Sequence, residues 1–299
     1  MIISLVTPSL NRASWIGAAL QSVVEQKDDA IEILIIDGGS TDGTHDLVRQ
    51  RFPQATLIIQ PDRNLYEALN RGIERARGDV VGFLNTDDRL LPGALAAVRA
   101  GFARRTDSAS VCGGCLLQTW DGPTTVQEQV LNHPAPKALR AGDIISGHIL
   151  LNGRFFHRPV LEALSGFDDT YPTYADRDLL GRYHLAGYQT TVLDEVIYAY
   201  GCHAASLTFS GRASPTLLAE ATLMARTRLH DSPSGAARRF YRRWHGWAAG
   251  YESARLAVTG EISKAWKTGR AALATDPLWP VFFAQHLGWH VGTRHERHT

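Results

Sequence analysis

Gly78-Asp79-Val80-Val81-Gly82-Phe83-Leu84-Asn85-Thr86-Asp87-Asp88-Arg89-Leu90-Leu91-Pro92-Gly93 is the stretch on which the fold turns. Its apolar run has the length of a buried strand and stops abruptly at two adjacent carboxylates, Asp87 and Asp88. A helix start follows, with Pro92 near its first turn. Acids at the carboxyl end of a central parallel strand lie at the rim where open α/β sheets bind ligands. Two like charges there repel unless a cation or a hydrogen-bonded ligand offsets them. A divalent metal carrying a diphosphate suits them, because hard oxygen ligands favour Mg²⁺ or Mn²⁺. The same acids also suit a solvated turn ahead of a helix N-terminus.

Upstream, strand and helix patterns alternate. Residues 2–6, 31–36 and 56–59 read as strands. A helix follows each: one capped by Asn11 or Ser14, one behind Asp42, and one over 64–76 with Leu65, Leu69 and Ile73 on one side. Strands separated by helices of this length imply a doubly wound, mostly parallel sheet. Beyond Phe102 the pattern loosens into β segments at 110–119, 124–130, 144–151, 154–157, 190–193 and 196–200, with a helix from about Tyr174 to Leu185. From about Ser206 the composition shifts to Ala, Arg and Leu, and residues 215–229, 235–258, 261–274 and 280–291 read as helices. The expected organisation is α/β over 1–209, with a nucleotide-binding half (about 1–103) and an acceptor half (104–209), then a helical region over 210–299.

Charge follows the same division. Residues 210–299 hold 13 Lys/Arg against 6 Asp/Glu, whereas the first 209 hold 18 against 24. Five of the seven tryptophans lie after residue 240, beside Arg238, Arg239, Arg242, Arg243, Lys264, Lys267 and Arg270. This tail suits peripheral contact with an anionic membrane, or a helical bundle with tryptophans inside and arginines solvated. Nucleic acid is disfavoured, since no aromatic-lined β surface accompanies the charge. No basic segment with a long apolar stretch opens the chain, no window reaches the about 18 apolar residues of a membrane span, and three cysteines build no disulfide framework. A cytoplasmic location is expected. Cys112 and Cys115 have zinc or redox spacing, but stand alone and read as two small buried thiols on a strand.

Five ordered blocks carry a resemblance: Thr7-Pro8-Ser9-Leu10-Asn11-Arg12; Ile35 to Gly43, with Asp37 and Asp42; Pro61 to Gly72; Thr86-Asp87-Asp88; and Gly166-Phe167-Asp168 with Tyr174 to Leu179. Over residues 1–205 the chain resembles the family 2 glycosyltransferases of GT-A fold. The resemblance implies a nucleotide-sugar donor (a UDP-sugar first), Mn²⁺ or Mg²⁺, inversion at the anomeric carbon, and a glycan or lipid-linked acceptor of the cell envelope. It implies that Thr7, Pro8 and Arg12 lie beside base and phosphates, and that Asp37 hydrogen-bonds the base. Asp62, Tyr66 and Asn70 would line the nucleotide pocket. Asp87 would sit near ribose and metal, with Asp88 on the metal. Asp176 would be the catalytic base.

Two departures stand out. Many relatives have an acid where this chain has Asn85, and Phe240 replaces the glutamine of the Gln-x-x-Arg-Trp signature of processive synthases, which favours single addition. His203 could complete a metal shell or be packed; Trp120 and His148 are acceptor candidates. Asp178 is an acceptor candidate that could instead pair with Arg182 four residues on. Asp168 and Asp169 read as turn and cap residues. The alternatives are a catalytically silent nucleotide-sugar-binding or scaffold module and a nucleotidyltransferase. For the latter, Thr7 to Arg12 lacks the expected Gly-rich, Lys-bearing loop.

Overall fold

A computed structural model describes residues 1–121, 124–131, 139–146, 150–202, 214–232 and 235–281. In chain order the elements are β1 (Ile3–Ser9), α1 (Ala13–Val24), β2 (Ile31–Asp37), α2 (Thr44–Arg51), β3 (Thr56–Ile59), α3 (Leu65–Arg75) and β4 (Val80–Phe83). Then come β5 (Arg89–Leu90), α4 (Ala94–Arg104), β6 (Ser110–Asp121), β7 (Thr124–Leu131), α5 (Ala141–Ser146), β8 (Arg154–His157), α6 (Arg158–Ala163), α7 (Ala175–Leu185) and β9 (Thr190–Cys202). Helices α8 (Ser214–Asp231), α9 (Gly235–Val258) and α10 (Ile262–Thr275) follow. The chain forms two compact units, one of residues 1–140 and 148–210, the other of 141–147 and 211–299.

The sheet order is β3-β2-β1-β4-β8-β6-β9-β5, with β7 paired to β6. The first four strands are parallel, and β8 enters antiparallel to both β4 and β6. All seven residues of β1 are buried, as expected of a strand covered on both faces. Ile3 and Leu5 join Ile16 and Leu20 of α1 in one core. On the opposite face Val6 meets α3 so closely that a Cβ on Gly72 would lie 2.1 Å from Val6 Cγ1. That glycine sets how near the helix comes to β1, and so the shape of the crevice above it.

The elements depart from expectation in three places. Residues 141–146 form a helix, α5, packed with the second unit rather than opening a strand. Short apolar runs such as Ile144-Ile145 fit either element, and the acid of Asp143 in the first turn favours the helix. The strands expected at 190–193 and 196–200 are one strand, β9, whose partner β6 shifts register at Gly113 and Gly114 to absorb Asp194-Glu195. The N-terminus of α1 is capped from outside: Ala13 N–H donates to Asp42 Oδ2 at 2.9 Å. Of the last expected helix, 280–291, residues after 281 lie outside the described residues. Trp244 and Trp247 are buried inside the helical unit, and Trp279 fills the space left by Gly246 and Gly250.

Candidate active site

The carboxyl ends of β1, β2 and β4 meet at one rim, where Ser9 lies level with Asp37 across the β1–β2 pair. This is the crevice in which open α/β sheets take ligands. Two hydroxyls at the end of β1, Thr7 Oγ1 and Ser9 Oγ, are buried with no hydrogen-bond partner among the described residues. Buried polar atoms are almost always paired, and each exception costs about 1–3 kcal/mol. These two lie side by side at a strand end where a ligand would supply partners, whereas the other such atoms, on Arg154, Trp244, His245 and Trp279, lie elsewhere. Pro8 is buried between them, and Arg12 is partly buried at the start of α1.

Asp37 is fully buried. Its carboxylate accepts from Gly39 N–H (3.0 Å), Ser40 N–H (2.7 Å) and Ser40 Oγ (2.7 Å), and pairs with His45 Nε2 at 2.7 Å. Burial pushes its pKa up, but the bonds from Ser40, His45 and Gly39 outweigh burial and hold it below the usual carboxylate range. Asp37 therefore organises its own Gly-Gly loop. Asp62 faces that loop. A Cβ on Gly38 would lie 2.7 Å from Asp62 Oδ2. Asp62 makes no hydrogen bond among the described residues, and burial raises its pKa, with the charges of Glu67 and Asp37 adding to the rise and Arg71 opposing it. Arg71 fixes the preceding loop through the carbonyls of Gln60 (3.0 Å) and Pro61 (2.7 Å).

At the end of β4 the two acids separate into unlike environments. Asp88 is buried and accepts four hydrogen bonds: Tyr198 Oη at 2.6 Å, Asn85 Nδ2 at 2.9 Å and Asn152 Nδ2 at 3.1 Å on Oδ2, and Gly201 N–H at 2.8 Å on Oδ1. Burial, then the neighbouring Asp87 charge, pushes its pKa up to about 7 against the pull of those donors. Three of these bonds fall on Oδ2 and only the Gly201 N–H on Oδ1, so Asp88 ties the end of β4 to Asn152 and β9 through one oxygen. Asp87 remains partly exposed beside it. Asn85, an apparent gap in the acidic motif, is one of the clamp's donors.

Asp176 sits in the first turn of α7, with part of its surface exposed. Burial raises its pKa; the Arg177 charge and backbone N–H and the Tyr66 hydroxyl lower it, and the net shift is upward. Tyr66 packs against Phe167 with the rings tilted and their centroids 5.2 Å apart. The same block is tied to the loop before α7 at several points. Asn70 Nδ2 donates to Phe167 O and Asn70 Oδ1 accepts from Phe167 N–H, both at 2.8 Å. Asn64 Nδ2 donates to Asp169 O at 2.9 Å, and Arg63 reaches Asp169 at 2.8 Å. Asn70 thus braces α3 against the loop at Phe167 through both ends of its amide.

Asp178 is fully buried and paired with Arg182 at 2.7 Å, the i,i+4 alternative read in the sequence. Asp168 caps Thr170. Cys112 and Cys115 are free and buried on β6. Trp120 lies on β6 with its side chain outside the described residues, as are His148 and His203. Among the described residues no three His, Cys, Asp or Glu side chains gather to hold a metal. The donor set does fit a hard cation held by Asp87 and completed by water and diphosphate oxygens.

Comparison with known proteins agrees with this geometry. The Glycosyl transferase family 2 profile matches residues 4–164. The chain belongs to that family. A PGL/p-HBAD biosynthesis glycosyltransferase of Mycobacterium tuberculosis is 34% identical over 128 residues, 40% of this chain and 50% of that protein. The chain thus spans about half the length of that relative. S. aureus TarS, solved in complex with UDP-GlcNAc, superposes with a TM-score of 0.65 at 15% identity over 91% of this chain and 80% of that one. A mannosyltransferase from Pyrobaculum calidifontis, in complex with GDP-Man and Mn²⁺, superposes with a TM-score of 0.55 at 20% identity, covering 95% and 84%. The fold is GT-A, a mixed, mostly parallel sheet followed by C-terminal helices.

Proposed function

We propose that this chain transfers a sugar from a nucleoside diphosphate donor, UDP first, to a hydroxyl of a glycan or lipid-linked acceptor, by single addition with inversion. The observation that carries this is the contact of the Tyr66 hydroxyl with Asp176, which joins the nucleotide-lining block to a carboxylate of raised pKa. Donors that bind TarS and the Pyrobaculum mannosyltransferase support the nucleotide-sugar class. The mycobacterial relative's assignment to glycolipid biosynthesis supports an acceptor of the cell envelope.

In this reading Thr7 and Ser9 offer their unpaired hydroxyls to the nucleotide, Arg12 its charge to the phosphates, and Asp62 its open carboxylate to the base or ribose. Asp87 would hold Mn²⁺ or Mg²⁺, which would supply charge stabilisation to the departing diphosphate. Asp88 keeps Asp87 in register. The acceptor oxygen forms the new bond to the anomeric carbon as the bond from that carbon to the diphosphate oxygen breaks. Asp176 takes the acceptor's proton, and UDP leaves. The test is release of UDP from UDP-sugars by the isolated protein, with and without Mn²⁺. Metal-dependent release supports an enzyme; binding without any release supports a silent binding module instead.

A further inference from the structure

Helix α10 is built inside out. Its buried edge consists of Ala265 and Ala272, while its large apolar side chains face solvent: Ile262 is 63% exposed, Trp266 71% and Leu273 45%. Spaced i, i+4 and i+11, these three form one stripe along the helix. A helix serving only to close its own bundle would bury that stripe and expose the alanines. Val258, at the end of α9, is 89% exposed, and Leu278 and Val281, just beyond α10, are each 59% exposed. Scattered single exposed apolar residues need no explanation, but a stripe led by a tryptophan calls for a partner.

The charges select the partner. Residues 262–275 contain Lys264, Lys267 and Arg270 and no Asp or Glu. Lys264 pairs with Glu261 at the start of the helix, whereas Lys267 and Arg270 enter no ion pair among the described residues. On the helical wheel Arg270 lies one turn from both Trp266 and Leu273, at the edge of the stripe. A second copy of this chain docking by two-fold symmetry would set these cations against their own equivalents, with no acid in the helix to answer them. An anionic bilayer answers both features, since indole settles at the headgroup level and lysine and arginine meet the phosphates.

We propose that α10 is a membrane-surface helix, with Ile262, Trp266 and Leu273 entering the interfacial layer and Lys267 and Arg270 contacting anionic headgroups. No helix among the described residues is long and apolar enough to cross a membrane, so the contact is one of lying on the surface. This inference stands whether or not the chain transfers a sugar.

The experiment is co-sedimentation of the full chain with vesicles of pure phosphatidylcholine and of phosphatidylcholine with phosphatidylglycerol, at low and high salt. Binding should be at least about tenfold tighter to the anionic vesicles at low salt and should weaken as salt rises. Ile262→Ser with Trp266→Ser should lower that binding about tenfold or more, and Lys267→Glu with Arg270→Glu should erase the preference for phosphatidylglycerol. All four positions are exposed, so circular dichroism should match the parent protein and exclude misfolding as the cause. Equal partitioning of parent and variants, or no binding to anionic vesicles at low salt, would overturn the proposal. So would a concentration-dependent dimer in sedimentation velocity that the serine pair abolishes, which would make the stripe a protein interface.

Discussion

Tyr198→Phe removes one oxygen from a buried cluster and little else. That hydroxyl donates to Asp88 Oδ2 at 2.6 Å, and Asn152 donates to the same hydroxyl at 3.3 Å. A hydrogen bond to a charged acceptor contributes about 1.5–3 kcal/mol net, and one to a neutral acceptor about 1. Asp88 keeps three donors in the variant, and phenylalanine fills nearly the same volume, so no cavity term is added. We expect a loss of about 2 kcal/mol at pH 8, where Asp88 is largely ionised, and about 1 kcal/mol at pH 5, where it is protonated.

The pH dependence has a definite sign. The native pKa of Asp88, about 7, lies above its ordinary value of 3.8, so the native state holds a proton that the unfolded chain has already lost. This carboxyl therefore favours folding least at high pH. Stability falls as pH climbs through the interval between those two values, by up to about 1.4 kcal/mol per unit. Asp88→Asn should flatten that slope. Urea unfolding at pH 5 and pH 8 measures both effects, and hydrogen exchange of peptides covering β9 and residues 85–90 places them at the clamp. A change below about 0.5 kcal/mol at both pH values would refute the clamp.

Two further changes probe the site. Asp176→Asn should lower transfer by about 10²- to 10⁴-fold with UDP affinity unchanged, and should remove the acid limb of the rate profile. In the parent protein that limb lies above the ordinary carboxylate range, because burial raises Asp176; loss of UDP binding alone would move Asp176 into the nucleotide pocket. Asn70→Ala leaves both Phe167 backbone groups without their present partner, and should cost about 2 kcal/mol of stability by urea titration. An unchanged midpoint would mean that the brace carries no load.

Much of the parallel half was legible because its evidence is local. Apolar runs of strand length and acids at strand ends can be read within a few residues of one another. The division of labour between Asp87 and Asp88 could not be read that way. It depends on Asn152, Tyr198 and Gly201, which reach Asp88 from 64 to 113 positions away, and nothing in their own neighbourhoods marks them. Asn70 has a partner of the same distant kind: its place in the third block is plain in the sequence, but the backbone it holds belongs to Phe167. Asp37 shows the reverse. The capping of a Gly-Gly loop is a local reading, and Gly39 and Ser40 of that loop do donate to its carboxylate. In β9 the charged pair Asp194-Glu195 looked like a break, and only the register shift in its partner strand shows how the sheet passes through.

Calorimetric titration of UDP with Mn²⁺ and with EDTA, into the parent protein and into Asp87→Ala, tests the central claim most directly. Tight binding that needs the metal, and that is lost in Asp87→Ala with the fold intact, is the predicted result. Equal affinity in Mn²⁺ and in EDTA, or full metal-dependent binding by Asp87→Ala, would contradict it.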